Sequence, residues 1–314
     1  MKCLYCYRPL SENEKDFHAQ CSKKIFSQAT APELPYEESQ MGELALQVVQ
    51  RQIAITGVQP KLSLHLTSGN KKNDPKRFTI VGLWGGYILK PPSANYPEMP
   101  EVEDLTMHLA TIAKLKVCPH SLIRLKSGEL AYITKRIDRT GKQKLHMEDM
   151  CQLTNRATEH KYVGSHEQVA KAISSYSSSP GLDVVNFYEQ VLFSFLTGNA
   201  DMHLKNFSLI YGPDSVPVLS PAYDLLATAL INPKDDEDLA LFLNGKKKKL
   251  KRSDFTAAFT GSKLDGKQQE NIFHKMEQAR HNWVDFINLS FLSEDFKVKY
   301  IQLIEERFNR LTFN

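Results

Sequence analysis

An aspartate and an asparagine five positions apart carry the clearest chemistry in this sequence. Asp201 and Asn206 lie in segment 198–206, which reads GNADMHLKN and falls between an apolar helical pattern and a short strand pattern, so we expect a tight loop. Phosphoryl transfer from a nucleotide needs a carboxylate that accepts the proton of the attacking hydroxyl and an amide oxygen that binds Mg²⁺. Lys205 could add positive charge at the transferred phosphate. Taken alone, Asp and Asn at this spacing are also ordinary loop residues.

Three charged residues elsewhere in the chain have the order that kinase chemistry requires. Asp224, in segment 219–226 (LSPAYDLL), offers a second carboxylate one strand beyond the loop, where a kinase places a metal-binding aspartate. Lys90 ends a strand pattern, as a phosphate-pairing lysine does, and Glu103 on the next helix is its natural ion-pair partner. The alternatives are an exposed lysine at a strand end and a first-turn acid stabilised by the helix dipole.

A candidate phosphate loop precedes these residues. Segment 56–61 (TGVQPK) lies between a helix pattern and a strand pattern, and its backbone N–H groups together with Lys61 could cradle phosphates. A plain turn is the alternative, because the segment contains a single glycine. The succession of phosphate loop, lysine, glutamate, Asp/Asn loop and second aspartate favours a kinase over chance.

The first thirty residues contain two close pairs of soft metal donors. Cys3 and Cys6 form one pair, and His18 and Cys21 form the other. Thiolate and imidazole donors in this arrangement could close a tetrahedral Zn²⁺ site. The alternative is that the cysteines are small buried residues and the histidine lies at the surface. Both interpretations remain open at the level of sequence.

The elements that position these residues divide into a sheet-containing half and a helical half, which predicts the α+β class. We expect a Cys/His segment at 1–30, a sheet-containing domain at 31–140 and a helical domain at 141–314. Helices are predicted at 40–53, 101–115, 165–178, 183–197, 266–289 and 294–309. Strands are predicted at 62–66, 78–81, 87–90 and 207–210, with a hairpin formed by 122–125 and 131–134.

Composition excludes several classes of protein. The 314 residues carry a formal net charge of +4, and no helix-turn-helix pattern or basic stripe stands out, so direct DNA binding is not expected. No apolar run is long enough to cross a bilayer, and the N-terminus lacks a signal-peptide pattern, so we expect no membrane association and a cytoplasmic location. Five cysteines, an odd number, suit reduced thiols or a metal site better than a disulfide framework.

In chain order, these motifs resemble the successive signatures of the HipA-type toxin serine/threonine kinases. The match runs from about residue 40 to 230, and the motifs are specific as a set rather than singly. They are Ile55 to Lys61, Tyr87 to Pro92, Glu103 with Met107, Lys135 to Arg139, His146 to Gln152, Asn199 to Phe207, and Tyr223 to Leu225.

The resemblance implies a two-lobed, protein-kinase-like fold, with a smaller sheet-containing N-lobe and a mainly helical C-lobe. It implies Asp201 as the general base, Lys90 and Lys205 as further catalytic residues, and Asn206 and Asp224 as the Mg²⁺ ligands. The residues implied in ATP binding are Thr56, Gly57, Val58, Gln59, Pro60, Lys61, Lys90, Lys135, Arg136, Ile137, His203, Leu204, Lys205, Asn206, Tyr223 and Asp224.

The resemblance also implies a biological role, as the toxin of a type II toxin–antitoxin system. The substrate would be an aminoacyl-tRNA synthetase, with the tryptophanyl enzyme as the first candidate, and its phosphorylation would inhibit translation and arrest growth. The usual partner is a small helix-turn-helix antitoxin. The alternatives are a non-catalytic, nucleotide-binding scaffold in such a complex and a small-molecule kinase.

Two departures from the family pattern stand out. Ala54 occupies the position of the serine whose autophosphorylation regulates many members, so that modification is impossible here and Thr56 is the remaining hydroxyl. Full-length HipA proteins also carry a further N-terminal subdomain. This chain resembles the short HipT-like form, in which a separate small protein supplies that subdomain.

Overall fold

The structure is a computed structural model, and it describes residues 1–40, 61–67, 76–81, 85–140, 143–212 and 214–311. Residues 56–60 of the predicted phosphate loop at 56–61 lie outside these ranges, as do Ala54 and all but the first residue of the predicted helix at 40–53. The chain folds into two compact units. The sheet unit comprises Met1–Asp104, Cys118–Ile137 and Leu289–Phe291, and the helical unit comprises Leu105–Val117, Asp138–Asn288 and Leu292–Asn314. Because both units are discontinuous along the chain, the domain boundaries given above stay a prediction.

The described elements comprise ten strands, nine α-helices and two short 3₁₀ turns. The strands are β1 (Leu62–Thr67), β2 (Arg77–Val81), β3 (Tyr87–Lys90), β4 (His120–Arg124), β5 (Leu130–Lys135), β6 (Arg139–Thr140), β7 (Gln143–Lys144), β8 (Met147–Asp149), β9 (Ser208–Tyr211) and β10 (Pro217–Leu219). The α-helices are α1 (Ala19–Phe26), α2 (Met99–Ile112), α3 (Met150–Leu153), α4 (His166–Tyr176), α5 (Pro180–Leu196), α6 (Thr228–Ile231), α7 (Arg252–Gly261), α8 (Gly266–Leu289) and α9 (Glu294–Leu311). Short 3₁₀ turns occur at Thr158–His160 and Leu204–Asn206.

The sheet unit is built on five antiparallel strands in the order β2-β1-β3-β5-β4. Side chains of β1 alternate, so that Leu62 and Leu64 are fully buried and Ser63 between them is half-buried. The predicted hairpin is confirmed, because β4 and β5 pair in register and Gly128 in their connection has a φ of +106°. These strands bring Lys90, the last residue of β3, opposite Tyr132 of β5.

An aromatic cluster fixes α1 to this sheet. The ring centroids of Phe26 and Phe78 are 5.8 Å apart, and those of Phe78 and Tyr87 are 5.2 Å apart, both in edge-on geometry. Each such pair contributes about 0.5–1.5 kcal/mol beyond its buried area. The Tyr87 hydroxyl also donates a hydrogen bond to the carbonyl of Ile25 at 3.1 Å. The N-terminal segment is therefore packed into the core of the sheet unit.

The helical unit is organised around α5, which is buried over most of its length. Proline at its first turn suits a helix start, since that position needs no amide donor. Phe193 packs edge-on against Trp283 of α8 at 5.5 Å. The predicted helices at 165–178, 183–197, 266–289 and 294–309 are confirmed as α4, α5, α8 and α9.

The predicted strand at 207–210 is also present, but as one of three. It is β9, the middle strand of a small antiparallel sheet in the order β10-β9-β8. The outer strands contain three residues each, which is too short for an alternating pattern to be visible in the sequence. Among the described residues, no helix combines the length and apolar character needed to cross a membrane.

Candidate active site

The turn that carries Asp201 begins where α5 ends. Gly198 has a φ of +68°, and a Cβ at this position would lie 2.6 Å from Cδ2 of Leu303. The left-handed backbone would be strained with any other residue here, and the Leu303 side chain would have to shift to admit a Cβ. Asn199 follows, and its side-chain oxygen accepts a hydrogen bond from the Asp201 amide at 3.1 Å. Glycine thus lets the chain leave the helix and turn sharply into the segment that carries Asp201.

Asp201 and Asn206 are brought together, as their spacing predicted. The Asn206 side-chain nitrogen donates to the backbone carbonyl of Asp201 at 2.9 Å, and the His203 amide donates to the same carbonyl at 2.8 Å. The 3₁₀ turn Leu204–Asn206 completes this closed loop. Asn206 is buried, whereas Asp201 is half-buried. One hydrogen bond therefore orients the Asn206 amide while the Asp201 carboxylate remains accessible.

A tyrosine contacts the candidate base directly. The hydroxyl of Tyr162 donates to Oδ1 of Asp201 at 2.6 Å. Burial and then this hydrogen bond raise the pKa of Tyr162 above its ordinary value, so the hydroxyl stays protonated and remains a donor. Its ring packs edge-on against His203, with ring centroids 5.0 Å apart. The carboxylate of Asp201 is thus held on one side by a side chain that the sequence did not single out.

His203 lies inside this loop and is buried. Burial lowers the pKa of His203, and the negative charge of Asp201 opposes that shift without overcoming it. Its Nδ1 is buried and has no hydrogen-bond partner within the described part of the chain. The imidazole is therefore neutral near pH 7, and it retains a buried polar atom that a bound group could satisfy.

The second predicted carboxylate, Asp224, is tied to the same loop through its neighbour. The hydroxyl of Tyr223 donates to the backbone carbonyl of Lys205 at 3.0 Å and lies 2.5 Å from Oγ of Ser208. Asp224 itself has a φ of +56°, in the left-handed region that non-glycine residues seldom adopt. Residues in such conformations persist where surrounding contacts fix them and concentrate at functional sites.

Lys205, predicted to add positive charge at the phosphate, is engaged by a carboxylate in this structure. Its Nζ lies 2.7 Å from Oδ2 of Asp149. Asp149 is the N-cap of α3 and forms a capping box with Gln152. The Lys205 side chain is 36% exposed. Lys205 is therefore held by a residue whose own position is fixed at a helix end.

In the sheet unit, Lys90 and Glu103 form the ion pair that their sequence positions predicted. Nζ of Lys90 contacts Oε1 of Glu103, and both side chains are almost completely buried. The ammonium also lies 5.4 Å from the ring centroid of Tyr132. A buried lysine keeps its charge only when it is paired, so α2 and β3 hold this ammonium in one place. The alternative of an exposed strand-end lysine is wrong.

The other residues expected to bind ATP are distributed as follows. Lys61 is exposed directly before β1, and Lys135 ends β5. The Arg136 amide donates to the carbonyl of Gly86 at 2.9 Å, and Ile137 is the last residue of that stretch of the sheet unit. Thr56, Gly57, Val58, Gln59 and Pro60 lie outside the described residues. The roles of all these residues in ATP binding stay predictions.

Sequence reasoning missed Tyr162, and it gave no role to Asp149 although the matched motif from His146 to Gln152 contains that residue. Tyr162 lies 39 positions before Asp201, and nothing in its neighbourhood indicates the contact. Asp149 could have been found, because an Asp followed three residues later by Gln is typical of a helix N-terminus. The predicted metal donors Cys3, Cys6, His18 and Cys21 also come together, within the sheet unit.

Curated proteins resemble this chain over more than half of its length. A Sinorhizobium fredii protein with a provisional kinase name, Y4dM, is 35% identical over 209 residues, which are 63% of this chain and 50% of that protein. The serine/threonine-protein kinase toxin HipA of Shewanella oneidensis is 26% identical over 197 residues, 56% of this chain and 43% of HipA. The chain spans about half the length of the curated relatives it matches.

The fold and the family follow from two further findings. The solved structure of Shewanella oneidensis HipA, in complex with HipB and its operator DNA, superposes with a TM-score of 0.67 at 21% identity, covering 85% of this chain and 70% of that one. The predicted α+β, HipA-like fold is therefore confirmed. Residues 53–283 match the family model described as HipA-like C-terminal domain. Because this match spans well over half of the sequence, the chain belongs to the HipA-type family.

Proposed function

We propose that this chain is an ATP- and Mg²⁺-dependent serine/threonine protein kinase and the toxin of a type II toxin–antitoxin system. One observation carries the proposal. The accessible Asp201 carboxylate and the buried Asn206 amide belong to one closed loop, joined by the hydrogen bond from the Asn206 side chain to the Asp201 carbonyl. Membership of the HipA-type family and the kinase names of its relatives support the same activity.

Asp201 acts as the general base in this proposal. The hydroxyl oxygen of the protein substrate attacks the γ-phosphorus of ATP, its proton passes to the Asp201 carboxylate, and the bond to the bridging oxygen breaks to release ADP. A carboxylate has two oxygens and room for several hydrogen bonds. The hydrogen bond from Tyr162 to Oδ1 therefore leaves the carboxylate able to accept the substrate hydroxyl.

Asn206 and Asp224 are the proposed Mg²⁺ ligands, and their chemistry fits. Mg²⁺ prefers hard oxygen ligands, and an amide oxygen and a carboxylate provide them. The nitrogen of the Asn206 amide is committed to Asp201, so the oxygen is the atom that remains to bind a metal. When bound, Mg²⁺ supplies positive charge that neutralises the phosphate oxygens.

ATP binding in this proposal uses the residues that the family resemblance implies. Lys90, fixed by Glu103, provides a localised positive charge for the phosphates. The buried Nδ1 of His203, which has no hydrogen-bond partner among the described residues, and the loop that holds Tyr223 provide polar groups in the helical unit. The remaining contacts are those expected from the family resemblance, including the segment 56–61.

We propose an aminoacyl-tRNA synthetase as the substrate, the tryptophanyl enzyme first, so that the chain acts in the cytoplasm and arrests growth by inhibiting translation. A small helix-turn-helix antitoxin is the proposed partner, which is supported by the complex of the Shewanella oneidensis relative with HipB. A separate small protein resembling the N-terminal subdomain of longer HipA proteins is the second proposed partner.

The test is transfer of labelled γ-phosphate from Mg²⁺-ATP to a panel of purified aminoacyl-tRNA synthetases. We expect label on one synthetase with the wild-type chain and a loss of at least roughly 100-fold in Asp201→Asn, the scale on which general bases contribute. Asp214→Asn is the matched control, because Asp214 is an exposed carboxylate of the same unit outside the catalytic turn.

Each outcome separates one alternative from another. Transfer that persists in Asp201→Asn would remove this residue as the base. Tight ATP binding without transfer to any protein would indicate a nucleotide-binding scaffold, and transfer to a metabolite alone would indicate a small-molecule kinase. Label on a protein other than a synthetase would retain the kinase and overturn the proposed substrate.

A further inference from the structure

The N-terminal segment of the sheet unit contains a cluster of metal donors that kinase chemistry does not use. The donor atoms of Cys3, Cys6, His18 and Cys21 all lie within 4.8 Å of one another. Nδ1 of His18 is 3.4 Å from Sγ of Cys6 and 3.8 Å from Sγ of Cys21. In tetrahedral Zn²⁺ sites with ordinary bond lengths, neighbouring donor atoms are separated by about 3.5–3.8 Å. The two separations between Nδ1 of His18 and a sulfur lie close to that range.

Each pair of donors sits on its own short turn. In the first, the amide of Tyr7 donates to the carbonyl of Cys3 at 2.9 Å, and Tyr7 has a φ of +63°. In the second, His18 is the N-cap of α1 and Cys21 lies in the first turn of that helix. The amide of Leu4 joins the two turns by donating to the carbonyl of Asp16 at 2.8 Å. The backbone therefore positions the donors without needing the metal to draw them together.

The histidine is oriented with its donor nitrogen towards the thiols. Nε2 of His18 lies 3.0 Å from the carbonyl oxygen of Pro9. A carbonyl only accepts hydrogen bonds, so Nε2 carries the proton and Nδ1 presents its lone pair. Metal-binding histidines generally donate their second ring N–H to a neighbouring acceptor in this way.

The chemistry of the donors identifies the metal. Three thiols and one imidazole make a soft, four-coordinate set, which is the composition of structural Zn²⁺ sites. All five cysteines of the chain are free, and the other two, Cys118 and Cys151, are buried outside the cluster. Isolated buried cysteines need no convergence of donors, and a disulfide would not involve the histidine. We propose that Cys3, Cys6, Cys21 and Nδ1 of His18 bind one structural Zn²⁺.

The site is connected to α2, the helix whose Glu103 pairs with the candidate catalytic residue Lys90. Tyr7, directly after Cys6, donates from its hydroxyl to Oδ2 of Asp104 at 2.7 Å in a fully buried contact. Oδ1 of Asp104 lies 2.6 Å from Nδ1 of His120 in β4. Asp104 is the neighbour of Glu103, the partner of Lys90. Zn²⁺ therefore stabilises the turn that anchors α2 beside this ion pair.

The first experiment measures metal content of the purified full chain by inductively coupled plasma mass spectrometry. We expect one Zn²⁺ per chain in the wild type and in the Cys151→Ser control, and loss of the metal in Cys6→Ser. His18→Cys keeps four donors and should retain Zn²⁺. Asp201→Asn should also retain it, which separates this proposal from the proposed kinase activity.

A second measurement covers the case in which Cys6→Ser does not fold. Wild-type chain produced with Co²⁺ should show the visible bands of tetrahedral cobalt and a near-ultraviolet charge-transfer band from its thiolates. A chelator should lower the melting temperature of the wild type, because a metal that binds only the folded state stabilises it. Wild-type protein that contains no Zn²⁺ after purification in its presence, or a cobalt spectrum without thiolate bands, would overturn the proposal.

Discussion

The Asp201 carboxylate is held by contacts from two parts of the chain. Its backbone is fixed by Asn199 and Asn206 within the turn, and its side chain by Tyr162 from a separate segment. Kinase catalysis depends mainly on positioning, since the groups must be aligned before charge develops. Tyr162 therefore acts as a positioning residue for the proposed base rather than as a catalytic group.

The substitution Tyr162→Phe tests this role by removing only the hydroxyl group. The variant loses the hydrogen bond to Oδ1 but keeps the ring that packs on His203. A hydrogen bond at a partly exposed site contributes about 1 kcal/mol. If all of it orients the base, kcat falls roughly five-fold, while the KM for ATP is unchanged. Steady-state kinetics measure both, with Tyr176→Phe, another exposed tyrosine of the helical unit, as the control.

A Tyr162→Phe variant with wild-type kcat would show that the hydrogen bond does not orient the base. A rise in KM for ATP with unchanged kcat would instead assign Tyr162 to nucleotide binding. Either result would contradict the positioning role, whereas an equal effect in Tyr176→Phe would point to a general change of the unit.

At the scale of elements, α4 begins with a histidine that the fold buries completely. His166 follows the N-cap Ser165, which forms a capping box with Gln168. Its ring packs against Phe187 of α5 and Phe207, and neither ring nitrogen has a hydrogen-bond partner among the described residues. Burial, and then the positive charge of Lys247, lower the pKa of His166 to about 3. The contact between α4 and α5 thus depends on a neutral imidazole.

This burial predicts how stability changes with pH. An unfolded histidine has a pKa of about 6.5, so between pH 6.5 and about 3 the unfolded chain binds one more proton than the folded chain. The contribution of neutral His166 to the free energy of unfolding is therefore fully present above a pH of about 6.5. It decreases as the pH falls, by up to about 1.4 kcal/mol per pH unit. His166→Phe should remove this contribution and flatten the slope.

Urea unfolding at pH values of about 7, 6 and 5, which lie on both sides of the unfolded pKa of about 6.5, measures how the free energy of unfolding changes with pH. The control is His160→Gln, since His160 is an exposed histidine of the same unit. An unchanged slope in His166→Phe would mean that His166 is not the group that takes up the proton. His203, whose pKa is also lowered by burial, would then be the next residue to replace.

At the scale of the whole molecule, the family match covers most of the chain. The family match spans residues 53–283, whereas the curated relatives extend over about twice the length that this chain covers. Segment 54–60, which contains Ala54 and all of the expected phosphate loop except Lys61, belongs to this match but lies outside the described residues. Regulation through this segment is therefore tested by measuring its phosphorylation.

Replacing Ala54 by Ser supplies the hydroxyl that the family resemblance associates with autophosphorylation. We expect mass spectrometry after incubation with Mg²⁺-ATP to find phosphate on the introduced serine of the Ala54→Ser variant, because the segment would present a hydroxyl to the kinase of its own chain. The double variant Ala54→Ser/Asp201→Asn should remain unmodified. Phosphate found only on Thr56 would indicate that Thr56 is the regulatory residue. An Ala54→Ser chain that phosphorylates its substrate but carries no phosphate itself would contradict the expectation.

The sequence by itself determined the α+β class, most of the long elements and the identity of the candidate chemical groups. These features depend on local pattern: the alternation in β1, the helical spacing in α5, and the five-residue interval from Asp201 to Asn206. Spacing of this kind is a property of neighbouring residues, so it is visible before folding. The ion pair of Lys90 and Glu103 was also predictable, because an ordered set of motifs indicated it.

Only the tertiary structure decided which distant groups meet. Tyr162 reaches Asp201 across 39 positions, His166 is enclosed by aromatic rings from other segments, and the four donors from Cys3 to Cys21 converge on one point. Such contacts depend on how buried elements pack, and packing is set by the shapes of many side chains at once. Local pattern carries little information about it. For that reason the sequence predicted the chemical groups of the candidate active site, whereas the structure revealed how they are held.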